Sequence, residues 1–236
     1  MRLLISGCSF TSSKYWSIPL REKHSVTNLA VPSAGNKYIA NSIISQDLDS
    51  YDIAIVMWSG ITRLDALVED ISYYIGYPYK KSIDEKAGYV CAGSRLGGWN
   101  GSSKHYNLLK GLFEEQFKSM SDENLATLSL LEIIKLQNYL KVNNKKYLFC
   151  TYINYWNQAV DWNTRDGDFS INTIPSLDRY VNQIDFSNWI FSDNDKNGYY
   201  ELAKKDNFFE KDGHHPGVQA GLIWGEIIKE RVKEII

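Results

Sequence analysis

Two short segments at opposite ends of the chain carry residue types that can do acyl chemistry together. Near the start, Gly7-Cys8-Ser9-Phe10 follows directly on the apolar run Leu3-Leu4-Ile5. A buried strand that ends in Gly and then Ser presents a hydroxyl at the carboxyl edge of a sheet, where α/β proteins bind ligands. Near the end stands Asp212-Gly213-His214-His215-Pro216. A serine hydroxyl is a weak nucleophile until a base takes its proton, and a neutral imidazole can take it. A carboxylate three residues before His215 can reach the other ring nitrogen and fix the tautomer. Ser9, His215 and Asp212 then read as nucleophile, base and orienting acid. Each has a plainer reading. Ser9 can be a turn or helix-cap serine, Asp212 can cap the last helix, and the adjacent His214 and His215 can be metal ligands, although neighbouring side chains diverge. Cys8 is a second possible nucleophile.

The elements that must hold these residues are legible from periodicity. Residues 2–6 predict a first buried strand and 26–30 a short second one, followed by the turn chemistry of Pro32-Ser33-Ala34-Gly35-Asn36. Tyr38, Ile39, Ser42, Ile43 and Ile44 keep a helical period. Asp52-Ile53-Ala54-Ile55-Val56-Met57-Trp58 is a continuous apolar run, as expected of a strand covered by helices on both faces. Residues 122–142 predict a long helix capped by Ser121 or Asp122, 146–152 a further strand, and 217–236 a terminal helix. Strand and helix alternate, so the expected class is a three-layer α/β/α domain with a mainly parallel sheet. One domain is expected over 1–236, with long insertions at about 68–120 and 154–210 acting as caps over the carboxyl edge.

Composition narrows the function classes. The chain has 236 residues, 44% hydrophobic and 23% charged, with a net charge of −2. That supports a real core and gives no electrostatic case for nucleic acid or an anionic membrane as partner. Cys8, Cys91 and Cys150 are too sparse for a disulfide framework or a zinc knuckle, so neither a metal nor another cofactor is expected. No secretory leader and no membrane span is legible, which makes the default compartment cytoplasmic. Aromatics reach 14%, with seven Trp and sixteen Tyr. They predict either core packing or a surface on which sugar rings stack, with Trp58, Trp99, Tyr155 and Trp156 as candidates.

Three motifs in order resemble the SGNH (GDSL-like) hydrolases. Gly7-Cys8-Ser9 is similar to the family's Gly-Asp-Ser after strand one. Ser33-Ala34-Gly35-Asn36 resembles the second motif, and Asp212-Gly213-His214-His215 the closing Asp-x-x-His. The resemblance implies an SGNH-like fold, a Ser9–His215–Asp212 triad, and an oxyanion hole supplied by the backbone N–H groups of Ser9 and Gly35. The third motif departs from the pattern: Ser59-Gly60-Ile61-Thr62-Arg63 has no Asn where the family has an oxyanion donor. Ser59, with its hydroxyl, is then the expected replacement donor, with the Arg63 guanidinium and Thr62 as the alternatives. Asn36, Trp58, Arg63 and His214 are the expected substrate contacts. Losing one good oxyanion donor costs on the order of 3 kcal/mol of transition-state stabilisation.

The expected function is a serine esterase that removes a small O-acyl group, most plausibly O-acetyl, from a small molecule or a carbohydrate. Two alternatives stay open: an acyltransferase using the same serine, and a catalytically weak member of the fold serving as a glycan-binding or structural module.

Overall fold

A computed structural model describes residues 1–12, 15–61, 63–68, 79–80, 88–91, 104–157 and 170–236. In chain order the elements are β1 (Arg2–Ser6), α1 (Ser9–Ser12), α2 (Ile18–Arg21), β2 (Ser25–Asn28), α3 (Asn36–Ile44) and β3 (Ile53–Trp58). There follow β4 (Asp65–Val68), β5 (Tyr79–Lys80), β6 (Gly88–Cys91), α4 (Lys104–Ser119), α5 (Asp122–Val142) and β7 (Lys146–Thr151). The chain closes with α6 (Asp178–Val181), β8 (Trp189–Ile190), α7 (Tyr199–Lys205) and α8 (Val218–Glu234).

The main sheet has five strands in the order β2-β1-β3-β7-β8. All four pairings are parallel. Every residue of β3 is buried, which explains its unbroken apolar sequence. Parallel strands need right-handed crossovers, and the chain reverses direction across the sheet after β2. Consequently α3 and α5 share one face, where they pack on each other, while α8 packs with α2 and α7 on the other. The predicted three-layer α/β/α class is therefore what the structure has. In a sheet of this order the reversal falls between β1 and β3, and the crevice outside their carboxyl ends is the expected ligand position. Ser9 and Ser59 lie just beyond those two ends.

The two stretches expected as insertions differ from each other. Residues 65–91 contribute a small antiparallel sheet, β4-β6-β5, outside the main one. The described residues of the stretch 154–210 supply β8, the edge strand of the main sheet, and α7, which packs on α8. Two residues of strand are too short for a periodicity signal, so the fifth strand was not legible.

Two features of this scaffold make testable claims. Asp185 ties α5 to the segment entering β8. Its carboxylate takes Lys141 Nζ at 2.8 Å and the Ser187 hydroxyl at 2.6 Å, and its N–H donates to Gln137 Oε1 at 2.7 Å. The Lys141 bond first, then the Ser187 hydroxyl, pull its pKa from 3.8 down to about 2. A depressed carboxylate stabilises the fold above its unfolded pKa and loses that stabilisation as pH falls through the folded value. The Tm gap between wild type and Asp185→Asn is expected to be widest above about pH 4 and to close toward pH 2; a gap independent of pH contradicts the assignment. Separately, Gly225 of α8 lies against α2: a Cβ there overlaps the Trp16 carbonyl oxygen and lies 2.9 Å from Pro19 Cδ and Cγ. Backbone cannot step aside cheaply, so Gly225→Ala is expected to lower stability by about 1–3 kcal/mol in chemical denaturation.

Candidate active site

Gly7 makes the turn after β1 possible. A Cβ at this position overlaps the Thr11 side chain and comes within 3.0 Å of the Met57 carbonyl oxygen. The chain then winds directly into α1, with the Cys8 carbonyl accepting from the N–H groups of Thr11 and Ser12, both at 2.9 Å. This winding sends Cys8 into the core, where it is fully buried, and leaves Ser9 half-buried at the edge. Of the two neighbouring nucleophile candidates, only the serine is partly exposed.

His215 meets Ser9 from the other end of the sequence. Its Nε2 lies 3.2 Å from Ser9 Oγ, and its Nδ1 lies 2.6 Å from Asp212 Oδ2. The second carboxylate oxygen of Asp212 accepts the N–H groups of His214 at 2.8 Å and His215 at 2.9 Å. Asp212 thus folds its own loop and fixes the imidazole at once. Gly213 takes φ 72°, the left-handed conformation that suits glycine. The loop is anchored on both sides: Glu210 N–H donates to the His215 carbonyl at 2.7 Å, and Gly217 N–H to that of Phe208 at 2.7 Å. Asp212 does not cap α8, since Gly217 occupies the cap position with no side-chain bond. The two backbone bonds, His215 first, together with the His215 side chain, hold the Asp212 carboxyl well below the usual carboxylate range. It therefore stays ionised across ordinary pH. The Phe10 ring, 5.2 Å from the His215 ring and 4.5 Å from that of Tyr152, backs the imidazole.

The expected oxyanion donors are arranged differently from the sequence expectation. Gly35, preceded by Ser33 at φ 65°, precedes the first residue of α3. Its N–H already donates to Asp65 Oδ1 at 2.8 Å. The other oxygen of Asp65 accepts the Tyr38 N–H at 2.9 Å. A carboxylate from β4 thus caps α3 across 30 residues, and the Gly35 N–H is not available in this arrangement. Ser59 is fully buried, and its hydroxyl finds no partner among the described residues. Its main chain is clamped by Asn36, which accepts the Ser59 N–H at 2.8 Å and donates to the Ser59 carbonyl at 3.3 Å. Asn36, expected as a substrate contact, is instead buried and joins the start of α3 to the end of β3.

The remaining expected contacts divide. Trp58 is fully buried and packs edge-on against Phe149 at 5.2 Å, so it belongs to the core and not to a cleft. Tyr155 and Trp156 are buried as well; Trp156 packs edge-on with Phe186 and Trp189. The aromatic excess among these residues is core packing. Arg63 does sit beside the site. It donates to the Ala34 carbonyl at 3.3 Å, and its guanidinium lies 5.7 Å from the centre of the Tyr152 ring. His214 is exposed, next to His215. Thr62 and Trp99 lie outside the described residues. Sequence reasoning missed Phe10, Tyr152 and Asp65. Phe10 could have been found from its place beside Ser9; Asp65 had no signal, being one acid at the start of a stretch without periodicity.

Among the described residues, no group of three His, Cys, Asp or Glu side chains is placed to hold a metal ion, and no helix is long and apolar enough to cross a membrane.

No protein-family model matches the chain, and no curated protein is significantly similar to it. Solved structures do align with it over nearly its whole length. An acetylxylan esterase from Geobacillus stearothermophilus shares 12% identity at a TM-score of 0.48, covering 98% of this chain and 93% of its own. A psychrotrophic esterase from Pseudoalteromonas shares 8% at a TM-score of 0.46, covering 99% and 97%. A GDSL-like lipase from Bacteroides thetaiotaomicron shares 12% at a TM-score of 0.46, covering 100% and 89%.

Proposed function

We propose that this chain is a serine ester hydrolase that works through an acyl-serine on Ser9. The observation that carries the reading is the continuous relay from Ser9 Oγ to His215 at 3.2 Å and from His215 to Asp212 at 2.6 Å. In the first half-reaction, His215 Nε2 takes the Ser9 proton as Oγ attacks the ester carbonyl. Asp212 stabilises the imidazolium that forms and stays ionised itself. The same proton then passes to the departing alcohol. In the second half, water attacks the acyl-serine with His215 again as base. The Ser9 N–H is the proposed oxyanion donor on the serine side. The substrate is a small O-acyl ester, an O-acetyl group on a carbohydrate above all. Arg63 and His214, at the edge of the site, are the proposed contacts to its alcohol portion.

One observation favours a second reading, that of a catalytically weak module of the same fold: the Gly35 N–H is held by a carboxylate. Turnover separates the two. The hydrolase reading expects p-nitrophenol release from p-nitrophenyl acetate and acetate release from an acetylated glycan. Wild-type protein inert toward both, alongside measurable binding of the unacetylated glycan, selects the module instead.

A further inference from the structure

The nucleophile and the base stand on two pieces of chain that are built separately. Asp212 holds His215 within its own loop. Ser9 opens α1, a helix of only four residues, wound on the Cys8 carbonyl. A single helical turn makes few bonds of its own and takes its position from packing. Phe10, the residue after Ser9, supplies that packing.

The Phe10 side chain is buried, and aromatic rings surround it. Its ring centre lies 4.5 Å from that of Tyr152, just beyond β7, and 6.4 and 6.5 Å from those of Tyr199 and Tyr200 in α7. These neighbours are fixed in turn. The Tyr200 N–H donates to the Tyr152 carbonyl at 2.6 Å, and Tyr199 stacks on Trp224 of α8 at 5.7 Å. Against this pad Phe10 meets the base directly, 5.2 Å from the His215 ring with 40° between the planes. The base's loop reaches the same pad a second time. The Tyr200 ring lies 5.3 Å from that of Phe209, and Phe209 pairs with Pro216 in an antiparallel bridge. Ring pairs at these separations contribute beyond the area they bury, and they restrict orientation.

We propose that Phe10 is a positioning residue of the reaction: it sets where the imidazole stands relative to Ser9 Oγ and favours the imidazolium that forms as the Ser9 proton moves. The proposal rests on the hydrolase reading. A cation within about 6 Å of an aromatic ring centre is attracted by the ring's electron-rich face. His215 is neutral before the attack and positive during it, so the attraction grows toward the transition state. An interaction that grows in this way raises kcat and leaves substrate binding unchanged. An aliphatic side chain of similar bulk fills the core and supplies neither effect.

The test is steady-state hydrolysis of p-nitrophenyl acetate by wild type and Phe10→Leu, with circular dichroism, Tm and the rate of fluorophosphonate labelling measured alongside. The expected result is a folded variant with a modestly lowered Tm, kcat lowered about tenfold, labelling slowed in step and KM little changed. Where leucine does not fold, Phe10→Met takes its place, since an unbranched side chain adapts to an irregular gap. A pure packing role predicts the lowered Tm with kcat and labelling of the folded variant equal to wild type; that result overturns the proposal and leaves the hydrolase reading standing. A measurement on wild type needs no variant: nuclear Overhauser contacts between the ring protons of Phe10 and His215 are expected, and their absence also overturns the proposal. Absence of turnover and labelling in wild type overturns the hydrolase reading, and the role of Phe10 with it.

Discussion

Ser9→Ala is expected to abolish ester turnover while leaving the fold unchanged. The hydroxyl lies against His215 Nε2, and the helical turn around it is made by main-chain bonds to the Cys8 carbonyl that alanine preserves. Removing the nucleophile of a serine triad costs up to about a millionfold in kcat where the rest of the site is fully organised. Here the Gly35 N–H is engaged by Asp65, so the rate available to lose is smaller, and a drop of at least about a thousandfold is expected. Tm should stay within a degree or two of wild type. Residual activity above that level, in a folded variant, places the chemistry on some other group.

Asp212→Asn is the second large effect. Asparagine is nearly the same shape, and its amide oxygen can still accept the His214 and His215 N–H groups that shape the loop. What changes is the partner of Nδ1. A carboxylate accepts a proton from that nitrogen and leaves Nε2 free to take one from Ser9; an amide nitrogen donates to it and forces the proton onto Nε2. The imidazole is then the wrong tautomer, which costs on the order of 10⁴-fold in kcat in triads of this kind. Since Asp212 is held ionised well below its ordinary range, it does not titrate between pH 5 and pH 8. Full activity in Asp212→Asn reduces Asp212 to a residue that shapes its own loop.

The sequence was most informative where a physical pattern extends over many residues. The buried run of β3, the amphipathic α5 and the terminal helix were legible because continuous or periodic apolar residues leave few alternatives. The grouping of Ser9, His215 and Asp212 was legible because a Gly–x–Ser turn and an Asp–x–x–His loop are each local, and the fold brings their ends together. What escaped were contacts made across distant segments by single residues. Nothing around Asp65 marks it as the cap of a helix 30 residues earlier. Asn36 has the polarity of a binding residue, yet it is consumed in fastening β3 to α3. Trp58 was ambiguous because aromatic side chains serve cores and sugar platforms equally well, and only its burial decides between them.

The proposed hydrolase depends on Ser9 being a nucleophile activated by His215. The most direct measurement is intact-mass analysis and peptide mapping after treatment with a fluorophosphonate, a probe that reacts with an activated serine. A single phosphonyl adduct is expected on the peptide carrying Ser9 in the wild type, and none in folded His215→Ala. An unmodified wild-type protein, an adduct on a different residue, or equal labelling without His215 contradicts it.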